Sequence, residues 1–367
     1  MYIVFYISGH GFGHASRDVE VLNALGAMTD APIVLRTAVS PDLLARTLRV
    51  PYALRPGVCD TGIVQATSIA HDDPATVRAT LDFHRTYQAR IDAEVEALAD
   101  QGVRLIVGDI PPLAFSVAAR LGVPSIALGN FTWDWIYETH PGFLPAGADV
   151  LAEIKGSYRL ATLALELPFS GGFEIFREVR PLPLLAQRAT QSKADTRAFF
   201  GLAPDARVAL LSFGGYGLPD LDLSALDCRD TWTIVTTDRV TTLGPGPLPH
   251  VRTVVERDFL SSRFRYEDLV AASDVVMTKP GFGIMAECIS TGAAMLYTSR
   301  GQFREYEVLV NALPRYVRSR FIDQATLFAG RWRESLEALL DQPAPAERMA
   351  LDGAEAAAAE ILKLLGT

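Results

Sequence analysis

The sequence predicts two α/β domains, each a doubly wound parallel sheet of the Rossmann type, facing each other across a cleft. Short apolar runs alternate with helical segments through both halves of the chain, and this alternation is typical of parallel sheets with right-handed crossovers. Three glycine-rich turns follow directly after predicted strands. Because ligands of such sheets bind beyond the carboxyl ends of the strands, two facing domains would direct all three turns into one cleft.

The first half of the chain carries the pattern of one such sheet. The apolar run at residues 2–7 is typical of a central parallel strand, and it leads through the turn at residues 8–14 into a predicted helix. A long amphipathic segment at residues 74–101 predicts one extended helix. Further strands are predicted at residues 32–36, 104–109 and 125–128.

The second half repeats the pattern after a stretch in which the alternation loosens. Glycines and prolines in this stretch indicate a linker, so the domain boundary is expected between about residues 165 and 195. Strands of the second half are predicted at residues 207–213, 232–236, 251–256, 275–277 and 294–297. The expected units are a first domain at residues 1–180, a second domain at residues 181–345, and a terminal helix within residues 346–367 that packs back on the domains.

The composition indicates a globular protein of two domains. Of the 367 residues, 49% are hydrophobic and 21% are charged, which excludes a disordered chain. The net charge of -9 argues against binding nucleic acid or an anionic membrane through bulk charge. The three cysteines are scattered and form no CxxC pair, which fits a reduced, cytoplasmic compartment. The apolar runs are too short for a signal peptide or a membrane span.

The segment at residues 278–287 is the strongest candidate for a ligand site. A predicted strand ends there, a proline and two glycines follow, and a helix begins. The N–H groups at a helix N-terminus favour a phosphate, and Glu287, one turn further on, could accept hydrogen bonds from both hydroxyls of a ribose. The alternative is that Gly281 and Gly283 form a tight turn and that Glu287 complements the helix dipole.

The order and spacing of several short motifs resemble a known family. These motifs are residues 8–14 with Arg17, then Asp60, Gly62 and Gln65, Asp109, residues 130–137, residues 213–215, and residues 279–283 with Glu287. They are similar to the glycosyltransferase-like domain that forms the N-terminal half of plant L-arabinokinases and, more distantly, to the murein lipid N-acetylglucosaminyltransferase. The resemblance spans most of the chain and implies a GT-B fold, with the acceptor on the first domain and the nucleotide sugar on the second. It does not extend to a sugar kinase, so no kinase activity is expected.

The resemblance also implies a reaction. The expected activity is transfer of a hexosyl or N-acetylhexosaminyl group from a nucleotide sugar, UDP-linked, to an acceptor. A transfer that inverts the anomeric centre needs a base for the acceptor proton and positive groups for the leaving diphosphate. In families with this fold a histidine at the position of His14 and an aspartate near the position of Asp109 form the catalytic dyad. The alternative is that His14 and Asp109 each cap a helix.

The remaining expected site residues divide between the two substrates. Backbone N–H groups and a lysine would hold the diphosphate without a metal, so no cofactor is expected besides the nucleotide-sugar co-substrate. The expected donor-binding residues are Gly214, Gly215, Lys279, Gly281, Gly283, Glu287, Gln302, Arg304 and Glu305, the last three being equally consistent with a solvated loop. The expected acceptor-side residues are His10, Gly11, Arg17, Trp133, Asp134 and Trp135, although the tryptophans could equally pack between the domains.

Other kinds of site have weaker support. Residues 11–16 half-resemble a dinucleotide fingerprint, but Ser16 replaces the third glycine and the second strand ends in Arg36 instead of an acid. His10 and His14 are four residues apart, yet neither a glutamate between them nor a third ligand supports a zinc site. A non-catalytic nucleotide-sugar sensor, and an epimerase or hydrolase on the same fold, stay open as alternatives. The sugar, the acceptor and the oligomeric state also stay open.

Overall fold

Two parallel sheets, one in each half of the chain, form the framework of the molecule. The computed structural model describes residues 2–10, 12–214, 217–218, 220–237, 248–260 and 262–366. The sheets and their helices confirm the predicted fold class of two doubly wound α/β domains. None of the helices within the described residues is long and apolar enough to cross a membrane.

The first sheet has seven parallel strands. They are β1 (Tyr2–Ile7), β2 (Ile33–Thr37), β3 (Tyr52–Pro56), β6 (Val103–Asp109), β7 (Ser125–Phe131), β8 (Leu163–Gly171) and β9 (Val179–Pro181), and a separate antiparallel hairpin is formed by β4 (Gln65–Thr67) and β5 (Ala70–His71). Their order is β3-β2-β1-β6-β7-β8-β9. Both faces of β1 are buried, since Phe5 and Ile7 join one apolar layer and Val4 and Tyr6 join the other. This double burial explains the continuous apolar run.

Seven helices accompany the first sheet. They are α1 (Phe12–Gly26), α2 (Pro41–Thr47), α3 (Asp73–Arg85), α4 (Tyr87–Leu98), α5 (Pro112–Leu121), α6 (Trp133–Glu138) and α7 (Ala148–Tyr158). The single helix predicted at residues 74–101 is wrong, because Thr86 leaves helical geometry with φ -113° and ψ 15°. The Thr86 hydroxyl donates to the Phe83 carbonyl over 3.2 Å, a local bond that competes with the continuation of the helix.

The second sheet has six parallel strands. They are β10 (Arg207–Ser212), β11 (Trp232–Thr237), β12 (Val251–Val254), β13 (Val275–Thr278), β14 (Ala294–Tyr297) and β15 (Ser319–Phe321), accompanied by α8 (Lys193–Phe199), α9 (Glu256–Leu260), α10 (Tyr266–Ala272), α11 (Phe282–Thr291), α12 (Arg304–Tyr316), α13 (Gln324–Phe328) and α14 (Arg333–Leu340). The order is β12-β11-β10-β13-β14-β15. In both sheets the strand order reverses beside the first strand, β1 or β10. The turns after these strands therefore lie at topological switch points, where such sheets bind ligands.

The last helix, α15 (Gly353–Leu365), packs on the first domain although it follows the second in sequence. Ala357 and Ile361 are buried in the same apolar cluster as the outer face of α1. The helix lies within the residues 346–367 where a terminal helix is expected, and just before it the Leu184 N–H donates to the Ala350 carbonyl over 3.0 Å. The first sheet ends at β9 and the second starts at β10, and we propose that the domains divide near residue 180, about where the sequence places the boundary.

Candidate active site

The turn after β1 is fixed by the loop that follows β3. Ser8 Oγ donates to Asp60 Oδ1 over 3.0 Å, and the His10 N–H donates to Ser8 Oγ over 3.2 Å. Gly62 has a φ of 61°, and a Cβ at this position would lie 2.4 Å from the His10 ring. Both the left-handed backbone and the close approach require glycine. The loop therefore places His10 beside the start of α1.

The structure brings His14 and Asp109 together at the carboxyl end of the first sheet. His14 lies in the first turn of α1, and Asp109 ends β6, which pairs with β1 so that Asp109 is level with Ile7. His14 Nδ1 is 2.9 Å from Asp109 Oδ1, and both side chains are buried. Engagement of Nδ1 by the carboxylate leaves Nε2 as the nitrogen that can accept a substrate proton.

Arg17 completes a buried group that we call the His14 cluster (His14, Arg17 and Asp109). Arg17 Nε donates to Asp109 Oδ2 over 2.5 Å, and Arg17 Nη2 contacts Asp109 Oδ1 and lies 2.9 Å from His14 Nδ1. Burial alone would raise the pKa of Asp109, but Arg17 and His14 outweigh it and lower this pKa to about 2. Asp109 is therefore ionised. Arg17, predicted on the acceptor side, is buried against this carboxylate.

A chain of buried hydrogen bonds continues from the His14 cluster into the second domain. Arg17 Nη1 donates to Asn130 Oδ1 over 2.6 Å, and Asn130 Nδ2 donates to Glu305 Oε1 over 2.8 Å. Arg300 Nη1 lies 3.3 Å from Glu305 Oε2 and donates to the Pro280 carbonyl over 2.9 Å. Glu305, predicted to bind the donor, thus links the two domains. Protein groups connect the His14 cluster directly with the loop between β13 and α11.

The β13–α11 loop leaves its backbone accessible. Gly281 has an extended φ of -155°, and a Cβ there would meet nothing closer than Arg300 Nη1 at 3.9 Å. A Cβ at Gly283 would meet nothing within 4 Å. Neither glycine has a positive φ, so a left-handed turn does not explain why glycine is found at these positions. Gly214, by contrast, has a φ of 73°, a conformation that favours glycine. The open space at Gly281 and Gly283 lets a ligand approach the N-terminus of α11.

Glu287 is a buried carboxylate in the first turns of α11. Its side chain is 8% exposed, and its Oε2 has no hydrogen-bond partner among the described residues. Burial, and then the charge of Glu267, raises the pKa of Glu287 well above its usual range, while burial raises the pKa of Glu267 to about 7. The neighbouring Tyr266 hydroxyl donates to Ser212 Oγ over 2.6 Å. A buried carboxylate without a partner is costly, so the arrangement suits a ligand that brings hydroxyl donors.

The other predicted donor residues occupy different positions. Lys279 Nζ lies 3.3 Å from Gln65 Oε1, a contact between the second domain and the hairpin of the first. Gln302 is exposed. Arg304 donates to the Trp135 carbonyl over 2.8 Å, and its guanidinium lies 4.5 Å from the centre of the Trp135 ring. Arg304 and Trp135 therefore pack between the domains, which is the alternative that the sequence left open for the tryptophans.

Trp133, predicted on the acceptor side, is buried beside the two histidines. Trp133 is 1% exposed, and its ring centre lies 5.5 Å from that of His10 and 6.3 Å from that of His14. It forms a wall beside the two histidines. Asp134 is buried in α6, with an Oδ1 that lacks a partner among the described residues. Gly11 and Gly215, two further predicted site residues, lie outside the described residues.

The structure adds residues that the sequence analysis did not select for the site. Asn130 lies near the end of β7, and Arg300 follows β14. Both could have been selected from the sequence, because ligands of parallel sheets bind beyond the carboxyl ends of the strands. Tyr266 opens α10 and carries no such signal. In the part of the chain that the structure describes, no group of histidine, cysteine and acidic side chains could hold a metal ion.

Comparison with known proteins gives one sequence relative and many structural ones. No protein-family model matches the chain. The chain is 29% identical to L-arabinokinase from Arabidopsis thaliana over 339 residues, which are 91% of this chain but 31% of that protein. It therefore spans about a third of the length of the curated relative.

The solved structures extend over nearly the whole chain. The glycosyltransferase of kitacinnamycin has a TM-score of 0.61 at 19% identity and covers 99% of each chain. The glycosyltransferase SnogD from Streptomyces nogalater has a TM-score of 0.59 at 17% identity and covers 100% of this chain and 99% of its own. UGT2 from Phytolacca americana, complexed with UDP-2-fluoro-glucose and pterostilbene, has a TM-score of 0.61 at 15% identity and covers 100% and 94%. These findings confirm the resemblance carried by the sequence motifs, and the chain has the GT-B fold of glycosyltransferases.

Proposed function

We propose that this protein transfers a sugar, of the hexosyl or N-acetylhexosaminyl type, from a UDP-linked donor to an acceptor hydroxyl with inversion. The observation that carries the proposal is the His14 cluster, whose Asp109 lies 2.9 Å from His14 and whose hydrogen bonds reach the β13–α11 loop of the second domain. His14 Nε2 takes the proton of the acceptor hydroxyl as its oxygen bonds to the anomeric carbon, while the bond from that carbon to the diphosphate oxygen breaks and UDP leaves with the electron pair. Asp109 holds the imidazole and stabilises its positive charge, as a triad carboxylate does.

In this proposal the donor lies on the second domain. The N–H groups at the start of α11 and the Lys279 ammonium receive the diphosphate, so no metal is needed to balance its charge. Glu287 accepts hydrogen bonds from the ribose hydroxyls, which supplies the partner that its Oε2 lacks. Structures similar to this chain include complexes with dTDP and with UDP-2-fluoro-glucose, which supports a nucleotide-sugar donor.

The acceptor approaches from the first domain. Trp133 lies beside both His10 and His14, and we expect the acceptor hydroxyl to approach the His14 imidazole past these rings. Arg17 and Asn130 act behind the dyad as positioning residues, because their hydrogen bonds end on Asp109 and on Glu305 and do not face a substrate. In this proposal each domain binds one substrate, and the reaction takes place where the two domains meet.

Calorimetry and a turnover assay test the proposal together. UDP and dTDP are titrated with and without EDTA, and release of UDP from UDP-glucose and UDP-N-acetylglucosamine is followed with a panel of hydroxyl acceptors. We expect binding that EDTA leaves unchanged and turnover that depends on His14. Binding without turnover for every acceptor would indicate a nucleotide-sugar sensor. Loss of binding in EDTA would contradict the metal-free donor site.

A further inference from the structure

Basic side chains from both domains lie close together at the β13–α11 loop. Lys279 contacts Gln65, and Gln65 pairs with His71 across the β4–β5 hairpin. The His71 ring centre lies 5.7 Å from the ring centre of Phe303, and the Arg300 guanidinium lies 4.1 Å from that same ring. Phe303 thus contacts both His71 and Arg300. We call Lys279, Arg300 and His71 the basic group.

The basic group has little negative charge to balance it. Arg300 is buried, and its Nε has no hydrogen-bond partner among the described residues. Glu305 is the acidic residue in contact with it, and one Glu305 oxygen is already occupied by Asn130. A buried guanidinium with an unpaired donor costs free energy unless a ligand supplies an acceptor.

Burial and neighbouring positive charge both lower the pKa values of the titrating groups near Arg300. Burial, and then the charges of Arg300 and Lys279, lowers the pKa of His71 to about 4. Burial, and then Arg300, lowers the pKa of Lys279 to about 7. For His10, burial and then the charges of His14 and Arg300 lower the pKa to about 3. Mutual repulsion of this kind is relieved when an anion binds among the groups.

The donor diphosphate does not account for the whole group. A diphosphate at the start of α11 is held by N–H groups of the second domain, whereas His71 and Gln65 belong to the first. His71 contacts Phe303 of the second domain, and its charge acts on His10 of the first, so it lies where the two domains meet. In the proposed function the space between the domains holds the transferred sugar and the acceptor.

We propose that the basic group is a subsite for a second oxyanion, a carboxylate or phosphate carried by the transferred sugar or by the acceptor. The inference rests on the proposed function and names its substrate class: an acidic sugar or a sugar phosphate. The planar guanidinium of Arg300 offers its unpaired Nε to an oxyanion. The Lys279 side chain adds a donor from the second domain, and the neutral His71 ring adds an N–H donor from the first.

Calorimetric titration of UDP, UDP-glucose and UDP-glucuronate tests the donor source. We expect UDP-glucuronate to bind at least about 10-fold more tightly than UDP-glucose, the gain from one charge-assisted contact. In Arg300→Met and His71→Phe the ratio should fall toward one, and the second variant keeps an aromatic ring against Phe303. Arg320→Met, which removes an arginine elsewhere in the second domain, serves as the control and should keep the wild-type ratio.

Thermal shift in saturating UDP tests the acceptor source. Glucuronate and glucose 1-phosphate are compared with glucose, and the expected result is stabilisation by the anionic probes that His71→Phe abolishes. Equal binding of the neutral and acidic donors together with no stabilisation by the anionic acceptors would overturn the inference. So would a loss of UDP affinity in Arg300→Met as large as the loss for UDP-glucuronate, since the group would then serve the diphosphate. Failure of UDP and dTDP to bind the wild type at all would instead count against the proposed donor site.

Discussion

The His14 cluster and the surroundings of Glu287 are both buried and polar, yet their hydrogen bonding differs. In the cluster, His14, Arg17 and Asp109 bind one another, and Arg17 also binds Asn130. Around Glu287, Oε2 of this residue and Oε2 of Glu267 lack partners among the described residues. A polar group with partners inside the protein is held in place before substrate arrives. A buried group without a partner raises the free energy of the folded protein until a ligand supplies that partner. This difference fits the proposed function, in which the first region carries out the chemistry and the second binds the donor.

The largest expected effect is on turnover. His14→Ala should reduce sugar transfer by about 10²–10⁴-fold, the usual contribution of a positioned base. Nucleotide binding should change little, because the proposed donor contacts lie in the second domain. Steady-state release of UDP and calorimetric titration of UDP measure the two quantities. His140→Ala, a buried histidine of the first domain outside the cluster, is the matched control. If His14→Ala turned over at the wild-type rate, the proposed mechanism would be wrong, but the fold assignment would not be affected.

Loss of one partner inside the paired region should destabilise the fold. Arg17→Met leaves the buried Asp109 carboxylate without its guanidinium, and removal of one partner of a buried ion pair costs about 3–5 kcal/mol. Urea denaturation followed by circular dichroism gives the free energy of unfolding. Arg17→Lys keeps the positive charge but cannot contact both Asp109 oxygens as the guanidinium does. Its free energy of unfolding should lie between the values for the wild type and Arg17→Met. Equal stability of all three proteins would show that the pairing contributes nothing.

The two regions should respond to pH in opposite directions. The pKa of Glu267 is raised to about 7 by burial, so its contribution to stability is present below the ordinary glutamate pKa and is lost as pH rises toward 7. The pKa of Asp109 is lowered to about 2, so its contribution is present above the ordinary aspartate pKa and is lost as pH falls toward 2.

Glu267→Gln isolates the first of these effects. We expect the loss of unfolding free energy between about pH 4.5 and pH 7 to shrink by roughly 2–3 kcal/mol in the variant, because the amide does not ionise. Chemical denaturation at a series of pH values measures it. An identical pH profile in the variant and the wild type would contradict the shifted pKa.

The smallest expected effect separates binding from stability. Glu287→Gln should weaken UDP binding by about 1.5–3 kcal/mol, the contribution of hydrogen bonds to a charged group, since the amide accepts less strongly than a carboxylate. Stability should stay nearly level, because burial raises the pKa of Glu287 well above its usual range and the neutral acid matches the amide in charge and shape. Calorimetry with UDP and thermal unfolding without ligand give the two values. If Glu287→Gln lowered the stability of the protein but left its affinity for UDP unchanged, Glu287 would serve the fold and not the binding of the donor.

The fold followed from local patterns in the sequence. Runs such as residues 2–7 and 208–211 are apolar on both faces, and this composition is typical of a strand buried between two layers. The pairing of His14 with Asp109 could be anticipated for a related reason, since both residues follow neighbouring strands whose carboxyl ends must meet. The break at Thr86 was missed because it depends on one side-chain hydrogen bond that no periodic pattern records.

The sequence by itself determined the alternation of strands and helices, the glycine-rich turns and the residue types at the ends of the strands. Only the tertiary structure decided which polar groups meet. Arg17 binds Asp109, and Glu305 binds Asn130, because helix and strand packing brings together residues far apart in the chain. The same packing turned Arg304 toward Trp135 and left Glu287 unpaired. Side-chain partners depend on the orientation of the two domains, and that orientation is set by packing across the whole molecule and not by any short segment.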